Sequence, residues 1–318
     1  MKQVAIVSGK GGTGKTSIIA SLAALAQGKA VFADCDVDAP DLHLLLQPKI
    51  LERREFYGIK RAFIDEEKCI QCGICQDACR FDAIRDFQVE TSLCEGCGVC
   101  HLVCPEGAVE MRDVQAGEAY ISQTRFGPMV HAELYPGEEA SGMLVAMVRE
   151  MARDLAEEKK LNLILIDASP GIGCPVIASL TGVDLALVVA EPTVTGEHDL
   201  LRLLDVAGHF GIRTTVCINK YDLNIKAAEQ IEELCQRRGV EIIGRLPYHT
   251  SVIDAMVRAQ AVVEIGGPVA EAIEEMWKDL EGIFRISLRA NFFYSGDDVY
   301  ELGVLKKCQL KNLWLAGH

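Results

Sequence analysis

A glycine-rich loop near the amino terminus constrains the fold more than any other part of this 318-residue sequence. The segment SGKGGTGKTS (8–17) has the full G-x4-G-K-T spacing and lies between the apolar run VAIV and the helix-forming segment SIIASLAALAQ. Glycines let successive backbone N–H groups turn toward one anion, and the following helix adds the positive end of its dipole. Lys15 can then reach the β- and γ-phosphates of a nucleotide, and Thr16 can bind Mg2+. The residues predicted to hold the phosphates are Gly11, Gly12, Thr13, Gly14, Lys15 and Thr16.

Apolar, β-branched runs recur along the chain and alternate with segments of helical periodicity. Strands are predicted at 4–9, 29–36, 161–171, 184–193, 214–220 and 240–248, with two more inside 122–134. Segments 198–210 and 226–239 have the spacing of amphipathic helices. This alternation favours an α/β fold with a mostly parallel sheet and helices on both faces.

Residues 60–113 interrupt the alternation with eight of the 13 cysteines of the chain. The runs CIQCGICQDAC (69–79) and CEGCGVCHLVC (94–104) both have C-x2-C-x2-C-x3-C spacing, and each cysteine of the first run recurs 25 positions later. Gly73 and Gly98 match in the same way. The repeat predicts a duplicated half-unit that is inserted into the α/β pattern, because that pattern resumes after it.

Four thiolates at this spacing are the ligands of a [4Fe–4S] cluster, and in two-cluster ferredoxins the fourth cysteine of each run binds the other cluster. This rule predicts two ligand sets, which are Cys69, Cys72, Cys75 and Cys104, and Cys94, Cys97, Cys100 and Cys79. Pro105 follows the second run as the bacterial pattern requires, whereas Arg80 stands in the matching place of the first. A zinc module is the alternative, but zinc sites use cysteine pairs with a longer gap.

The pattern KGGTGKT resembles the deviant Walker A loop of the MinD/ParA/nitrogenase-iron-protein superfamily. That resemblance implies that Lys10 acts in trans, on nucleotide bound to the other subunit of a dimer, much as an arginine finger does. It also implies that Asp36, in DCDVDAPDL, positions the attacking water, with Asp34 and Asp38 as alternatives for supporting roles. In LILIDASPG it implies that Asp167 holds a magnesium-bound water.

The motif NKYD (219–222) follows a predicted strand at the place where a nucleotide base would lie. Its chemistry alone leaves two bases open, because Asn-Lys-x-Asp is also the guanine-binding motif of GTPases. The superfamily resemblance favours ATP, with Asn219 on the adenine.

The whole arrangement resembles MinD-superfamily ATPases that contain an inserted ferredoxin domain, over about residues 1–284. The resemblance implies four segments. These are a first part of the P-loop ATPase domain (1–59), an inserted small α+β bacterial-type ferredoxin domain with two [4Fe–4S] clusters (60–113), a second part of the ATPase domain (114–284), and a carboxyl-terminal tail of unassigned role (285–318).

Composition limits the partners. A net charge of −14 argues against general nucleic-acid binding, which needs a basic surface. The amino terminus lacks the pattern of a signal peptide, and no apolar stretch reaches the length of a membrane span. We therefore expect a cytoplasmic protein with neither nucleic acid nor membrane as a partner. Thirteen cysteines in a reducing compartment favour metal binding over disulfides.

The sequence thus predicts a dimeric, Mg2+-dependent ATPase that couples ATP-driven switching to electron transfer through two [4Fe–4S] clusters. Its partners would be a second copy or a similar ATPase, and a redox or metal-cluster acceptor protein. The alternative function is ATP-dependent assembly or delivery of a metal–sulfur cluster, although the Cys-x-x-Cys near the carboxyl terminus of delivery proteins is absent. In the nitrogenase iron protein, a cysteine at the place of Cys174 helps to bridge a cluster across the dimer. No second cysteine lies near Ala140 or Ser141 here, and a packed thiol is the simpler interpretation of Cys174.

Overall fold

Apolar runs form most strands of the structure, a computed structural model that describes residues 1–138 and 141–292, with side chains as far as 283. In chain order the described strands are β1 (Lys2–Val7), β2 (Ala30–Cys35), β3 (Lys49–Tyr57), β4 (Arg61–Ile64), β5 (Ile84–Arg85), β6 (Gln88–Val89), β7 (Val109–Arg112), β8 (Gln115–Thr124), β9 (Gly127–Leu134), β10 (Leu163–Ala168), β11 (Leu185–Ala190), β12 (Thr214–Asn219) and β13 (Glu241–Leu246). The described α-helices are α1 (Lys15–Ala26), α2 (Leu42–Leu46), α3 (Ile74–Ala78), α4 (Val99–Val103), α5 (Ser141–Glu158), α6 (Cys174–Leu180), α7 (Val194–His209), α8 (Ile225–Arg238), α9 (Ser251–Val257), α10 (Val262–Ile265) and α11 (Pro268–Phe292).

Nine strands form one sheet in the order β13-β12-β11-β1-β10-β2-β9-β8-β3. The pairs from β13 to β9 are all parallel, and only β9–β8 and β8–β3 are antiparallel. Parallel strands need crossover connections, and helices supply most of them here. The prediction of an α/β fold with a mostly parallel sheet is therefore confirmed.

The central strand β1 shows why the parallel strands are continuously apolar. Ala5 and Val7 belong to one core with α5, α7 and α8. Val4 and Ile6 alternate with them and are equally inaccessible to solvent, so they lie on the opposite face of the sheet. A strand that is covered on both faces has no polar side, so it appears in the sequence as a continuous apolar run. The sequence predicted β1 for this reason.

The edge strand β3 was not predicted. Its sequence KILERREFY is mostly charged, and only Phe56 is buried. Pairing with β8 holds it in place, with irregular register between Ile50 and Glu52 and between Phe56 and Tyr57. A solvent-exposed antiparallel strand lacks the apolar run that identifies a buried one, so sequence patterning missed it.

The repeat in 60–113 is also a repeat of structure. Helix α4 lies 25 positions after α3, and each begins after a glycine with positive φ, 79° at Gly73 and 73° at Gly98. Two small antiparallel sheets, β4–β7 and β5–β6, accompany the helices. Their common core contains Ala62, Ile84 and Val109 together with buried cysteines.

The chain divides into two compact units, Met1–Met276 and Trp277–His318. The sequence suggested a domain boundary at residue 284, but helix α11 continues beyond it. The rest of the predicted tail, 293–318, lies outside the described residues. Among the described helices, none combines the length and apolarity needed to cross a bilayer.

Candidate functional site

The predicted nucleotide-binding side chains lie at one edge of the sheet. Polar residues follow the carboxyl ends of β1, β2, β10, β11 and β12, and parallel strands end at a common edge. Strand β1 lies between β10 and β11, so the connections on its two sides diverge at this point. Such a divergence opens a crevice in doubly wound sheets.

The loop after β1 has the shape that its glycines predict. Gly12 and Gly14 have φ values of 78° and 90°, in the left-handed region that favours glycine. A Cβ on Gly14 would lie 2.3 Å from Nδ2 of Asn219, so a larger residue would displace the Asn219 side chain. Asn219 Nδ2 donates to the carbonyl of Thr13 at 2.7 Å, and its Oδ1 accepts from the backbone N–H of Lys220. In this structure Asn219 therefore ties the loop to β12.

Lys15 is buried at the base of the loop among carboxylates. Its ammonium contacts Asp167 and lies 4.0 Å from Oδ2 of Asp36. Burial alone would lower the pKa of Lys15, but the adjacent Asp167 outweighs it and raises the pKa. Lys15 is thus charged, and the cation that the sequence predicts for phosphate binding lies within the loop.

The same corner has polar atoms that lack partners. The side chain of Thr16 lies beside the carboxylate of Asp167. Oδ2 of Asp34 and Oγ1 of Thr13 are buried without a hydrogen-bond partner within the described residues. Buried polar atoms are nearly always paired, so these two fit a site that is completed by further ligands. A hydroxyl beside carboxylates at the phosphate loop fits Mg2+ bound with a nucleotide.

The carboxylates of the segment DCDVDAPDL (34–42) differ in environment. Asp34 is fully buried, and burial raises its pKa well above the ordinary value. Asp36 is partly exposed, and burial raises its pKa to about 6. Its backbone N–H donates to Oδ1 of Asp34 at 3.1 Å. Asp38 is exposed. Only Asp36 combines partial solvent access with a position near Lys15, as a residue that orients water requires.

Sequence analysis did not find the partner of Lys10. Its ammonium lies 3.0 Å from Oε2 of Glu191, which follows β11. Lys220 Nζ lies 2.5 Å from the other oxygen of Glu191 and donates to the carbonyl of Gly12. Burial opposes ionisation of Glu191, but the hydrogen bonds from both lysines outweigh it and lower its pKa. A polar residue directly after a buried strand was the available signal.

A cleft of about 800 Å³ extends from the loop. Beyond Asn219 its lining includes Leu246, Pro247 and Tyr248, after β13. Oδ1 of Asp222 accepts the backbone N–H of Tyr248 at 2.7 Å. The last residue of NKYD therefore holds the wall of the cleft.

Residues 60–113 contain two small cavities, each with a volume of about 20 Å³. Each has four cysteines in its lining, three from one run and the fourth from the other. The two sets are Cys69, Cys72, Cys75 and Cys104, and Cys79, Cys94, Cys97 and Cys100. These sets are the same as the predicted crossed ligand sets.

The donor chemistry of the cavities fits a [4Fe–4S] cluster in each, since four thiolates hold a cubane. Burial would raise the pKa of the Cys104 thiol, but hydrogen bonds from backbone N–H groups outweigh this effect and lower the pKa. One of these groups is the N–H of Ala108, which lies 3.3 Å from Sγ of Cys104. Within the described residues, no group of three or more His, Cys, Asp or Glu side chains is arranged to hold a single metal ion. A cubane needs a wider arrangement, because each cysteine binds a different iron.

Comparison with known proteins identifies the family. Residues 4–262 match the model of the CbiA family, which is described as the CobQ/CobB/MinD/ParA nucleotide binding domain. The chain belongs to this family. It is 35% identical over 286 residues to the uncharacterized protein MJ0578 of Methanocaldococcus jannaschii, covering 88% of this chain and 96% of that protein.

Solved structures confirm the MinD/ParA-type fold. The septum site-determining protein MinD of Pyrococcus horikoshii, complexed with Mg-ADP, has a TM-score of 0.57 at 17% identity and covers 90% of this chain and 98% of its own. The cell division ATPase MinD of Pyrococcus furiosus has a TM-score of 0.55 at 18% identity, with coverages of 89% and 99%.

In this MinD/ParA-type chain, Cys174 is exposed at the first position of α6. A Cβ on Gly142 would lie 3.4 Å from its Cβ. The start of α5, where the sequence offered no second cysteine, thus packs against Cys174. The simpler interpretation of a packed thiol stays a prediction, because Cys174 as a whole is exposed.

Proposed function

We propose that this protein is a Mg2+-dependent ATPase that couples ATP binding and hydrolysis to electron transfer through two [4Fe–4S] clusters held by residues 60–113. The observation that carries the proposal is the crossed lining of the two cysteine cavities, within the same compact unit as the phosphate loop. Family membership supports the nucleotide half. The ferredoxin-like insertion, 60–113, and the flanking ATPase parts, 1–59 and 114–284, are parts of this proposal.

The loop residues have separate tasks. Backbone N–H groups from Gly11 to Thr16 and the Lys15 ammonium bind the β- and γ-phosphates. Thr16 and Asp167 are the residues that would hold Mg2+, which would neutralise the negative charge of the phosphates. Asp36 orients the water that attacks the γ-phosphate. Asn219 supports the loop through Thr13, and contact of Asn219 with the adenine stays a prediction.

Lys10 supplies a cation to the nucleotide of a partner subunit, so the active form is a dimer with a second copy or a similar ATPase. The aligned MinD structures show the fold alone, and the trans role rests on the loop sequence. The MinD of Aquifex aeolicus was solved in a complex with MinC. That complex concerns MinD, and the partner of this chain is proposed only as a redox or metal-cluster acceptor protein.

The cysteines hold the electron-transfer groups. The two crossed sets of four thiolates would each bind one cluster, and a bound cluster accepts and releases single electrons. Exposed Cys72 and Cys97 lie on the solvent side of their cavities, where an acceptor protein could approach. Shielding by the protein and nearby charge tune the potential of such groups.

The decisive experiment combines metal analysis with turnover. Protein purified without oxygen should contain about eight iron and eight sulfide per chain. After reduction with dithionite and removal of the excess, candidate acceptors should oxidise it faster with Mg-ATP than with Mg-ADP. Zinc in place of iron would contradict the proposal. ATP-dependent transfer of iron and sulfide to an apoprotein, without oxidation of the clusters, would instead establish the assembly function.

A further inference from the structure

A buried cation lies beside one of the two cysteine sets. The first set is Cys69, Cys72, Cys75 and Cys104, and the second set is Cys79, Cys94, Cys97 and Cys100. Within 60–113, all of which the structure describes, Arg61 is the only charged residue that is buried. Its Nη1 donates to the backbone carbonyl of Cys94. The positive charge of Arg61 is therefore held next to the second set.

The internal repeat shows which residue stands at the matching place beside the first set. Ala62 lines the cavity of the second set, and Phe87, 25 positions later, lines the cavity of the first. The residues that precede these two are Arg61 and Asp86, and Asp86 is an exposed acid. The two sets thus differ in the charge of their surroundings, although their cysteines are arranged alike.

Close packing fixes the position of the cation. Gly96, in the loop that follows Cys94, is so near to the preceding strand that its Cβ would lie 2.4 Å from the carbonyl oxygen of Lys60. The loop of the second run therefore packs directly on the residue before Arg61. Close-packed atoms have little freedom to move, so the guanidinium stays near the second set.

A carboxylate compensates part of this charge. Nη2 of Arg61 donates to Oε2 of Glu138 at 2.9 Å. The side chain of Arg61 is 5% exposed and that of Glu138 is 21% exposed, so water screens the carboxylate more than the guanidinium. The guanidinium itself bonds to the carbonyl of Cys94, so it is the nearer of the two charges to this carbonyl. The cation therefore outweighs the anion at the second set.

A charge at this place acts on the chemistry that the cysteines would hold. Reduction adds one negative charge to a [4Fe–4S] cluster, so a nearby cation stabilises the reduced form and raises the reduction potential. The effect is largest for a buried cation, because protein surroundings screen a charge less than water does.

We propose that Arg61 raises the reduction potential of the cluster held by the second set above that of the first. This inference rests on the proposed function, because it requires both clusters. A single electron from a low-potential donor then resides on the second set. An electron that enters at the first set passes to the second, and this transfer oxidises the first cluster and reduces the second. The cysteine repeat thereby has a direction for electron flow.

Potentiometric titration of the cluster-loaded protein, followed by EPR, tests the inference. Cys104→Ser, which should lack the cluster of the first set, identifies the signal of the second. In the wild type the second set should be reduced first. Arg61→Gln should weaken its hold on the electron, relative to the first set, by about threefold or more, which is about 28 mV for a one-electron step. Glu138→Gln should shift the same potential upward, because the guanidinium loses its compensating charge.

Arg61→Lys and Arg112→Gln separate charge from structure. Arg61→Lys keeps the positive charge, so its potentials should stay closer to the wild type than those of Arg61→Gln, whereas a purely structural role predicts the same loss in both. Arg112 is the register partner of Arg61 on β7, but its side chain is 55% exposed and pairs with Glu110. Arg112→Gln removes the same charge from a solvated position and should leave both potentials unchanged.

Three results would overturn the inference. They are a wild type in which the first set is reduced first, an unchanged separation of the potentials in Arg61→Gln, and a shift in the same direction in Arg61→Gln and Glu138→Gln. If Arg61→Gln does not load clusters, Glu138→Gln decides alone, and a potential that does not rise overturns the inference.

Iron and sulfide content, measured on the same preparations, separates this inference from the proposed function. About eight irons per chain with equal potentials in all variants would remove the role of Arg61 and leave the proposed function standing. Wild-type protein that holds no clusters would contradict the proposed function itself.

Discussion

Lys10 and Glu191 form an ion pair within one chain, with 3.0 Å between Nζ and Oε2. In the proposed dimer, Lys10 must instead reach a nucleotide on the partner subunit. The γ-phosphate of that nucleotide therefore competes with Glu191 for the same ammonium. Glu191 is shared with Lys220, so it stays partly neutralised when Lys10 leaves.

Glu191→Gln should tighten ATP-dependent dimerisation by several-fold, because the substitution removes the carboxylate that competes for the Lys10 ammonium. The size of the effect follows from the strength of one salt bridge of this exposure, which is about 1 kcal/mol or less. Lys10→Ala should bind ATP but fail to dimerise. Analytical ultracentrifugation with a non-hydrolysable ATP analogue measures both. Asp205→Asn, at an exposed ion pair on α7, is the control and should behave as wild type. A Lys10→Ala protein that dimerises normally would contradict the trans role.

Lys15→Ala should weaken ATP binding by about 100-fold or more, because a buried, charge-assisted contact to phosphate is lost. Asp36→Ala should bind ATP with near-normal affinity and lose turnover, because a residue that orients water acts only on hydrolysis. Fluorescent-analogue titration and phosphate release separate the two effects. Normal turnover in Asp36→Ala would transfer the role to Asp34 or Asp38, or exclude all three.

Cys104→Ser should remove the cluster of the first cysteine run, to which it contributes from the second. Cys79→Ser should remove the other cluster. Each variant should retain about four of the eight irons, and EPR of the reduced protein should lose a different signal in each. Cys174→Ser is the control and should keep the full iron content, because it lines neither cysteine cavity. Loss of the same signal in Cys104→Ser and in a second-run variant such as Cys97→Ser would show uncrossed ligation.

ATP should bind at least about tenfold more tightly than GTP. Guanine recognition by an Asn-Lys-x-Asp motif uses the carboxylate of the aspartate, and here Oδ1 of Asp222 accepts the backbone N–H of Tyr248. A difference of about 1.4 kcal/mol gives this tenfold preference. Competition of unlabelled ATP and GTP against a fluorescent analogue measures the ratio, and equal affinities would show that Asp222 can leave Tyr248 to bind guanine.

His131 should make the protein less stable in mild acid. It lies on β9, 2.9 Å from Oγ of Ser122 and stacked near Tyr120, and burial lowers its pKa to about 4. The unfolded chain, with a histidine pKa near 6.5, binds the proton more readily, so the stabilisation by neutral His131 is present above about pH 6.5 and is lost as the pH falls toward 4. Between pH 7 and pH 4.5 the loss in free energy of unfolding amounts to about 2 kcal/mol.

His131→Gln keeps a hydrogen-bonding side chain but does not titrate. Its free energy of unfolding should therefore fall less than that of the wild type over this range, in urea titrations followed by circular dichroism. His198→Gln, at a largely exposed histidine, is the control and should show the wild-type pH dependence. Identical pH dependence in all three proteins would mean that His131 is not protonated differently on unfolding.

The parallel strands, the phosphate loop and the repeat of the cysteine spacing were predictable because each has a local signature. A strand that is covered on both faces must be apolar throughout, and a tight anion-binding turn needs glycine at fixed positions. Duplicated cysteine spacing likewise shows that two equivalent half-units exist. These features depend on neighbours that are close in sequence.

Other features depend on residues that are far apart in sequence, and only the tertiary structure decided them. The charged strand β3 is held by β8, more than fifty residues later, and nothing local marks it. Glu191 meets Lys10 only because β11 and β1 are adjacent in the sheet. Arg61 contacts Cys94 and Glu138 only after distant segments of the chain have folded together. The sequence by itself determined which chemical groups the protein carries, through local spacing, whereas the order of the strands and the packing of the helices determined which of those groups meet.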